Sequence, residues 1–190
     1  VKIRHPYFGT QKSDEVRKWF IDYYPYNRYK DFATASMFAD WKLVWNFKND
    51  DRISPTEHSF ALQKVIKLTE DTLRETFGNR VNKLTLVCLT ASTERNTKRR
   101  FEEFSKRVCN DLGMDNGFEH IRITEDVVPK HIGGTGKAKK QYDEWFFNGK
   151  FIILFDDVRT SGASLEEEKS RLESFGAKII GAITIAQTQS

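Results

Sequence analysis

This chain has no long apolar run: nothing in its 190 residues approaches the roughly 18 consecutive hydrophobic positions that a membrane-spanning helix needs. No secretory leader opens it either. A cytoplasmic protein with no membrane partner is therefore expected. Cysteine is nearly absent, with two copies. Cys88 falls in an apolar stretch and Cys109 in a helical one, at no spacing that suits a metal. Buried free thiols are expected, not a disulfide framework or a metal held by protein ligands. Repeats and low-complexity tracts are missing too, which excludes a solenoid or a disordered chain. What is present is a soluble composition, 38% hydrophobic and 31% charged, with a net charge of +4. It suits one domain with a small subdomain and mildly favours an anionic ligand.

Helical and strand periodicities alternate along the chain. Ser54-Pro55-Thr56-Glu57 is a capping box with proline at the first helical position. The helix it opens carries Leu62, Val65, Ile66, Thr69, Leu73 and Phe77 on one face and stops at Gly78. Lys83 to Leu89 predicts a buried strand, and Glu94 to Leu112 a helix with Phe101, Phe104, Val108 and Leu112 aligned. Phe118 to Thr124 predicts a third strand of polar alternation. Leu165, Leu172 and Phe175 line a last helix, which Gly176 ends, and Lys178 to Ala186 supplies the last strand. Strands separated by helices predict a doubly wound α/β fold with a mostly parallel sheet. Residues 1–53 are dense in aromatics without clear periodicity. They are expected to form a small hood over a core of residues 54–190, with the rings serving packing rather than base stacking.

The chemistry concentrates after Phe151-Ile152-Ile153-Leu154-Phe155, an apolar run that reads as a strand buried on both faces. Ligands bind at the carboxyl ends of such strands. Asp156 and Asp157 follow, then Val158, Arg159, Thr160, Ser161, Gly162, Ala163 and Ser164. The turn from Thr160 to Ser164 can aim backbone N–H groups and hydroxyls at one phosphate, and the next helix adds the positive end of its dipole. The two carboxylates suit vicinal sugar hydroxyls. Together they predict a sugar-phosphate site. The competing reading is an ordinary strand exit and a capped helix, with a capping box Ser164-x-x-Glu167. Two further segments favour anions. Thr90, Ala91 and Ser92 let the backbone approach closely, and Ser92 or Thr93 can cap the helix that follows. Between Glu125 and Gly149, Gly133, Gly134 and Gly136 beside Lys137, Lys139 and Lys140 make a cationic flap. Their order is not that of a Walker loop.

The run Ile153 to Ser164 resembles the signature with which type I phosphoribosyltransferases bind phosphoribosyl pyrophosphate (PRPP): hydrophobic residues, two acids, then a hydroxyl-Gly-x-hydroxyl turn. The resemblance implies that Asp156 and Asp157 are the catalytic pair on the ribose hydroxyls. It assigns Arg159, Thr160, Ser161, Gly162, Ala163 and Ser164 to the 5-phosphate and Thr90, Ala91 and Ser92 to pyrophosphate. Lys137, Lys139 and Lys140 would lie on a loop that closes over the leaving group. Mg2+ would be held mainly by substrate oxygens and water. The implied reaction is displacement at C1 of the ribose by a nitrogen acceptor as pyrophosphate leaves. Members of the family are commonly dimers, so a homodimer is the assembly the resemblance suggests. Thr160 stands where enzymes for 6-oxopurines commonly carry an Asp, which argues against hypoxanthine or guanine.

Arg95 followed by Arg99-Arg100-Phe101 resembles the ComF-like branch, whose pattern is R-x-x-x-R-G-F-N-Q, and so does the stretch Trp41 to Asp51. Arg100 replaces the Gly, Glu102 and Glu103 replace Asn-Gln, and the cysteine cluster of many ComF proteins is absent. Two alternatives stand beside the enzyme: a regulator that binds PRPP or a nucleotide without turnover, and a ComF-like protein of DNA uptake or handling. Nucleic acid is the less favoured partner.

Overall fold

The computed structural model describes residues 15–125 and 138–189. In chain order these form β1 (Val16–Tyr23), α1 (Tyr26–Tyr29), α2 (Ala35–Lys48), α3 (Pro55–Phe77), β2 (Leu84–Cys88), α4 (Glu94–Leu112) and β3 (Asp115–Asn116). Then follow β4 (Ile121–Glu125), β5 (Lys139–Tyr142), α5 (Glu144–Phe147), β6 (Phe151–Arg159), α6 (Ala163–Ser174) and β7 (Lys178–Thr188). Five strands make one sheet in the order β1-β7-β6-β2-β3, and each described pairing in it is parallel.

The apolar run of β6 is continuous because both of its faces are covered. Ile153 and Phe155 pack with α2, α3 and α4 through Phe47, Val65, Phe101 and Phe104. Ile152 and Leu154 pack on the other face with Leu165 and Leu172 of α6 and with Ile179. Helices on both faces of a parallel sheet make this an α/β fold, consistent with double winding. Local signals place the helices. Ser54 Oγ accepts the Glu57 N–H and the Glu57 carboxylate accepts the Ser54 N–H, so the capping box forms, and Gly78 ends α3 at φ 57.

One expectation changes. Phe118 to Thr124 is not a strand of the central sheet: Phe118–His120 is a 3-10 turn and β4 pairs antiparallel with β5. Only Ile121 and Ile123 of β4 are buried, so the segment has one apolar face and suits a covering hairpin, not a strand enclosed on both sides. The edge of the sheet is taken by the two-residue β3. Within residues 1–53, expected to form a hood, residues 16–48 contribute β1 to the opposite edge and α2 to the main core through Leu43, Val44 and Phe47. Gly181 permits that edge to form: a Cβ there would clash with the Val16 carbonyl oxygen. The aromatic residues of this segment pack largely on one another, with Tyr26 edge-on to Trp41 at 5.0 Å and Trp41 stacked on Trp45 at 6.2 Å. Among the described residues, no helix is long and apolar enough to cross a membrane.

Candidate functional site

After β2 the chain moves outward to β3, and after β6 it moves the opposite way to β7. The carboxyl ends of β2 and β6 therefore flank a topological switch point, where parallel sheets leave a crevice. The sequence places its two anion-favouring segments there: Leu89–Thr93 follows β2, and Thr160–Gly162 follows β6. Lys48, at the end of α2, reaches the same place, with its Nζ 3.6 Å from Asp157 Oδ1.

Strand alternation sends the two acids into different surroundings. Asp157 lies on the face of Phe155, is 6% exposed, and accepts a 3.0 Å hydrogen bond from Arg100 Nη1. A buried carboxylate needs such a partner. Asp156 is partly buried, makes no ion pair among the described residues, and accepts the Asp157 N–H at 2.8 Å. Burial and then the charge of Asp157 push its carboxyl up to about 7. The pair thus divides into an acid anchored by cations and a carboxyl raised toward neutrality. Tyr23, at the end of β1, is close enough to feel Asp157, and burial raises its hydroxyl.

The turn after β6 is built on Gly162, at φ 82, with the Arg159 guanidinium packed against it. A Cβ at Gly162 would come within 2.9 Å of Arg159 Nε. Ser161 Oγ accepts the Ala163 N–H, and Gln187 donates to the Thr160 carbonyl. The capping box at Ser164 does not form: α6 opens at Ala163 with Gly162 as a cap that offers no side chain. Thr160, Ser161, Ala163 and Ser164 are exposed. On the other side of the crevice Thr93 caps α4 by accepting the Asn96 N–H, which leaves Ser92 outside the cap. The Ala91 N–H is taken by Thr97 Oγ1 at 3.0 Å.

Among the described residues, the buried polar atoms without a partner include Thr90 Oγ1 and the Nε atoms of Arg99, Arg100 and Arg159, on the segments that border the crevice, as well as atoms of Glu70, Thr85 and Glu168. An orphaned buried donor costs about 1–3 kcal/mol.

Neither a family model nor a curated protein matches the chain.

Two of the three expected loop lysines are paired with acids. Lys139 pairs with Glu125 at 2.8 Å, and Lys140 pairs with the buried Glu168 at 2.6 Å, joined by the Tyr142 hydroxyl at 3.2 Å. Lys137 and the glycines before it lie outside the described residues. Cys88 and Cys109 are buried as expected, and burial pushes the Cys109 thiol up to about 12. Among the described residues no group of three or more His, Cys, Asp or Glu gathers as a metal site.

Sequence reasoning missed the cations that serve the acids. Arg100 stands 57 positions from Asp157, and no local pattern joins the two. The usable signal was energetic: an acid at the end of a doubly buried strand requires a cation, and the basic run Arg95 to Arg100 was the nearest supply. A second cluster was also missed. Asp51, on the connection between α2 and α3, accepts from Arg95 Nη2 at 2.7 Å and Arg99 Nη1 at 3.0 Å.

Proposed function

We propose that the protein is a Mg-dependent phosphoribosyltransferase of the type I kind, which transfers the ribosyl group of PRPP to a nitrogen acceptor and releases pyrophosphate. One observation carries the reading: the two anion-favouring loops, far apart in sequence, lie at the carboxyl ends of neighbouring parallel strands on either side of an acid pair. A sugar with phosphate at one end and pyrophosphate at the other has that layout.

Asp156 and Asp157 would orient the ribose through its vicinal hydroxyls. Arg100 and Lys48 fix Asp157 in position, so the sugar meets a preorganised acceptor. Thr160, Ser161, Gly162 and Ser164 would hold the 5-phosphate at the start of α6, while Arg159 braces the turn from beneath. Thr90, Ala91 and Ser92 would face pyrophosphate, with the unpartnered Thr90 hydroxyl as a ready donor. Positive charge developing at C1 as the leaving group departs is favoured by the two nearby acids.

Magnesium fits only as an ion carried by substrate oxygens and water. Asp157 is committed to two cations, and Asp156 is the one carboxylate of the pair without an ion-pair partner among the described residues. When bound it supplies charge neutralisation for departing pyrophosphate. Lys139 and Lys140 enter no step, because both are engaged with acids of the hairpin and α6. No specific observation favours nucleic acid: Arg95, Arg99 and Arg100 each donate to an acid of the same chain.

Calorimetric titration of PRPP with and without magnesium tests the reading, on wild type and on Asp156→Asn and Asp157→Asn. Magnesium-dependent binding weakened at least tenfold in both variants is expected. Absence of binding to folded wild type would overturn it. Binding without pyrophosphate release across a broad acceptor set would favour a PRPP-binding regulator.

A further inference from the structure

We propose that Arg95 and Arg99 form the receptor for a carboxylate group on the nitrogen acceptor, and that Asp51 occupies it until the acceptor arrives. This deepens the phosphoribosyl-transfer reading and rests on it. The two arginines stand four positions apart on α4 and so share one side of the helix. Both donate to the same atom, Asp51 Oδ1, at 2.7 and 3.0 Å. The chain itself therefore displays a carboxylate seated between two guanidinium groups.

Asp51 is weakly held. Its side chain is 69% exposed, and exposed ion pairs contribute little net stability. It can leave when another carboxylate of better fit competes. Its neighbour Asp50 is already paired with Arg52 at 2.8 Å and does not compete.

Arg99 is the stable half of the receptor. Its side chain is 20% exposed against 75% for Arg95, and its Nε is buried without a partner. Only its Nη1 is engaged with Asp51. A guanidinium binds a planar carboxylate best through two parallel N–H donors, and Asp51 engages Arg99 through Nη1 alone, so a carboxylate that accepts a parallel pair would fit better.

Position ties this receptor to the sugar site. Arg100, the next residue, donates to Asp157, and Lys48, three residues before Asp51, approaches the other oxygen of Asp157. The receptor and the sugar site thus draw on the same two chain segments, Arg99 beside Arg100 on one and Asp51 three residues from Lys48 on the other. An acceptor held there is a nitrogen compound, aromatic or amine, that carries a carboxylate. A neutral base would leave the two arginines with nothing to recognise.

The test is calorimetry on the protein saturated with PRPP and magnesium, using three matched pairs as probes: orotate and uracil, nicotinate and nicotinamide, anthranilate and aniline. At least one acid should bind while its neutral partner does not. Asp51→Asn should tighten that binding about three- to fivefold by removing the competitor. Arg99→Gln should weaken it roughly ten- to hundredfold and leave PRPP affinity as in wild type. Equal binding of acids and neutral partners, no binding of any acid, or an unchanged affinity in Asp51→Asn would each overturn the proposal. So would Arg99→Gln losing inorganic pyrophosphate, since the pair would then serve the leaving group. Failure of PRPP itself to bind wild type would remove the underlying reading, a result separable from all of these.

Discussion

Replacing Arg100 with Met should expose how much the site depends on the cation behind Asp157. The acid is 6% exposed, and the guanidinium donates to it at 3.0 Å. Breaking a buried ion pair from one side costs about 3–5 kcal/mol. Arg100 is 21% exposed and Lys48 remains at 3.6 Å, so roughly half of that, about 2 kcal/mol, is expected. For a domain of this size each kcal/mol lowers Tm by about 2–4 °C, which gives a drop of about 4–8 °C. Asp157→Asn alone should also destabilise, because it leaves the guanidinium without its acid. The double variant loses both charges together, and its cost should fall short of the sum by about 1–2 kcal/mol. Urea unfolding followed by circular dichroism at neutral pH measures all four proteins, and an unchanged slope confirms that stability alone has moved. Costs that add within about 0.5 kcal/mol would refute the coupling and, with it, the view that Arg100 fixes the sugar-binding acid.

Three further outcomes follow from the same geometry. The Asp156 carboxyl is raised, so the folded state holds its proton after the unfolded chain has released it; stability should fall as pH rises from the ordinary 3.8 to about 7 and level off above that. Melting curves across that range should show the decline in wild type and a flatter profile in Asp156→Asn; matching profiles would refute the assignment. Gly162→Ala puts a side chain at φ 82 and against Arg159, which should cost about 1–3 kcal/mol and weaken PRPP binding, whereas an unchanged Tm would show that the turn relaxes freely. Glu168→Gln leaves Lys140 without its 2.6 Å counter-charge and should cost about 1–3 kcal/mol, read as faster amide exchange in β4 and β5.

The parts of the fold legible in the sequence are those with local causes. The capping box at Ser54, the glycines after Phe77 and Leu112 and the apolar run of β6 each determine an element from a few adjacent residues. β1 was not legible, because its place depends on Gly181, more than a hundred and fifty residues away, letting the Val16 backbone approach. The polar alternation of Phe118 to Thr124 was visible, but the difference between an edge strand and a covering hairpin lies in what sits above it. At the site, the acids and the turn could be read along one strand. Their cations could not, since they come from α2 and α4 and meet Asp157 only when the sheet is assembled.

That division has a chemical consequence. A strand can present two adjacent carboxylates, but it points them to opposite faces, so it cannot by itself decide which one gains a cation. The helices decide. α4 and α2 bring cations within ion-pair distance of Asp157, whereas Asp156 forms no ion pair among the described residues. One acid is thereby held in place by ion pairs, and the other keeps a proton until near neutrality. If both acids meet ribose hydroxyls, the sugar is gripped by one acceptor fixed in position and one whose strength grows with pH. Affinity for PRPP should therefore rise as Asp156 ionises, while the folded chain loses stability over the same interval. A site that gains binding as the unliganded protein weakens is one in which the ligand restores what burial of the second acid costs.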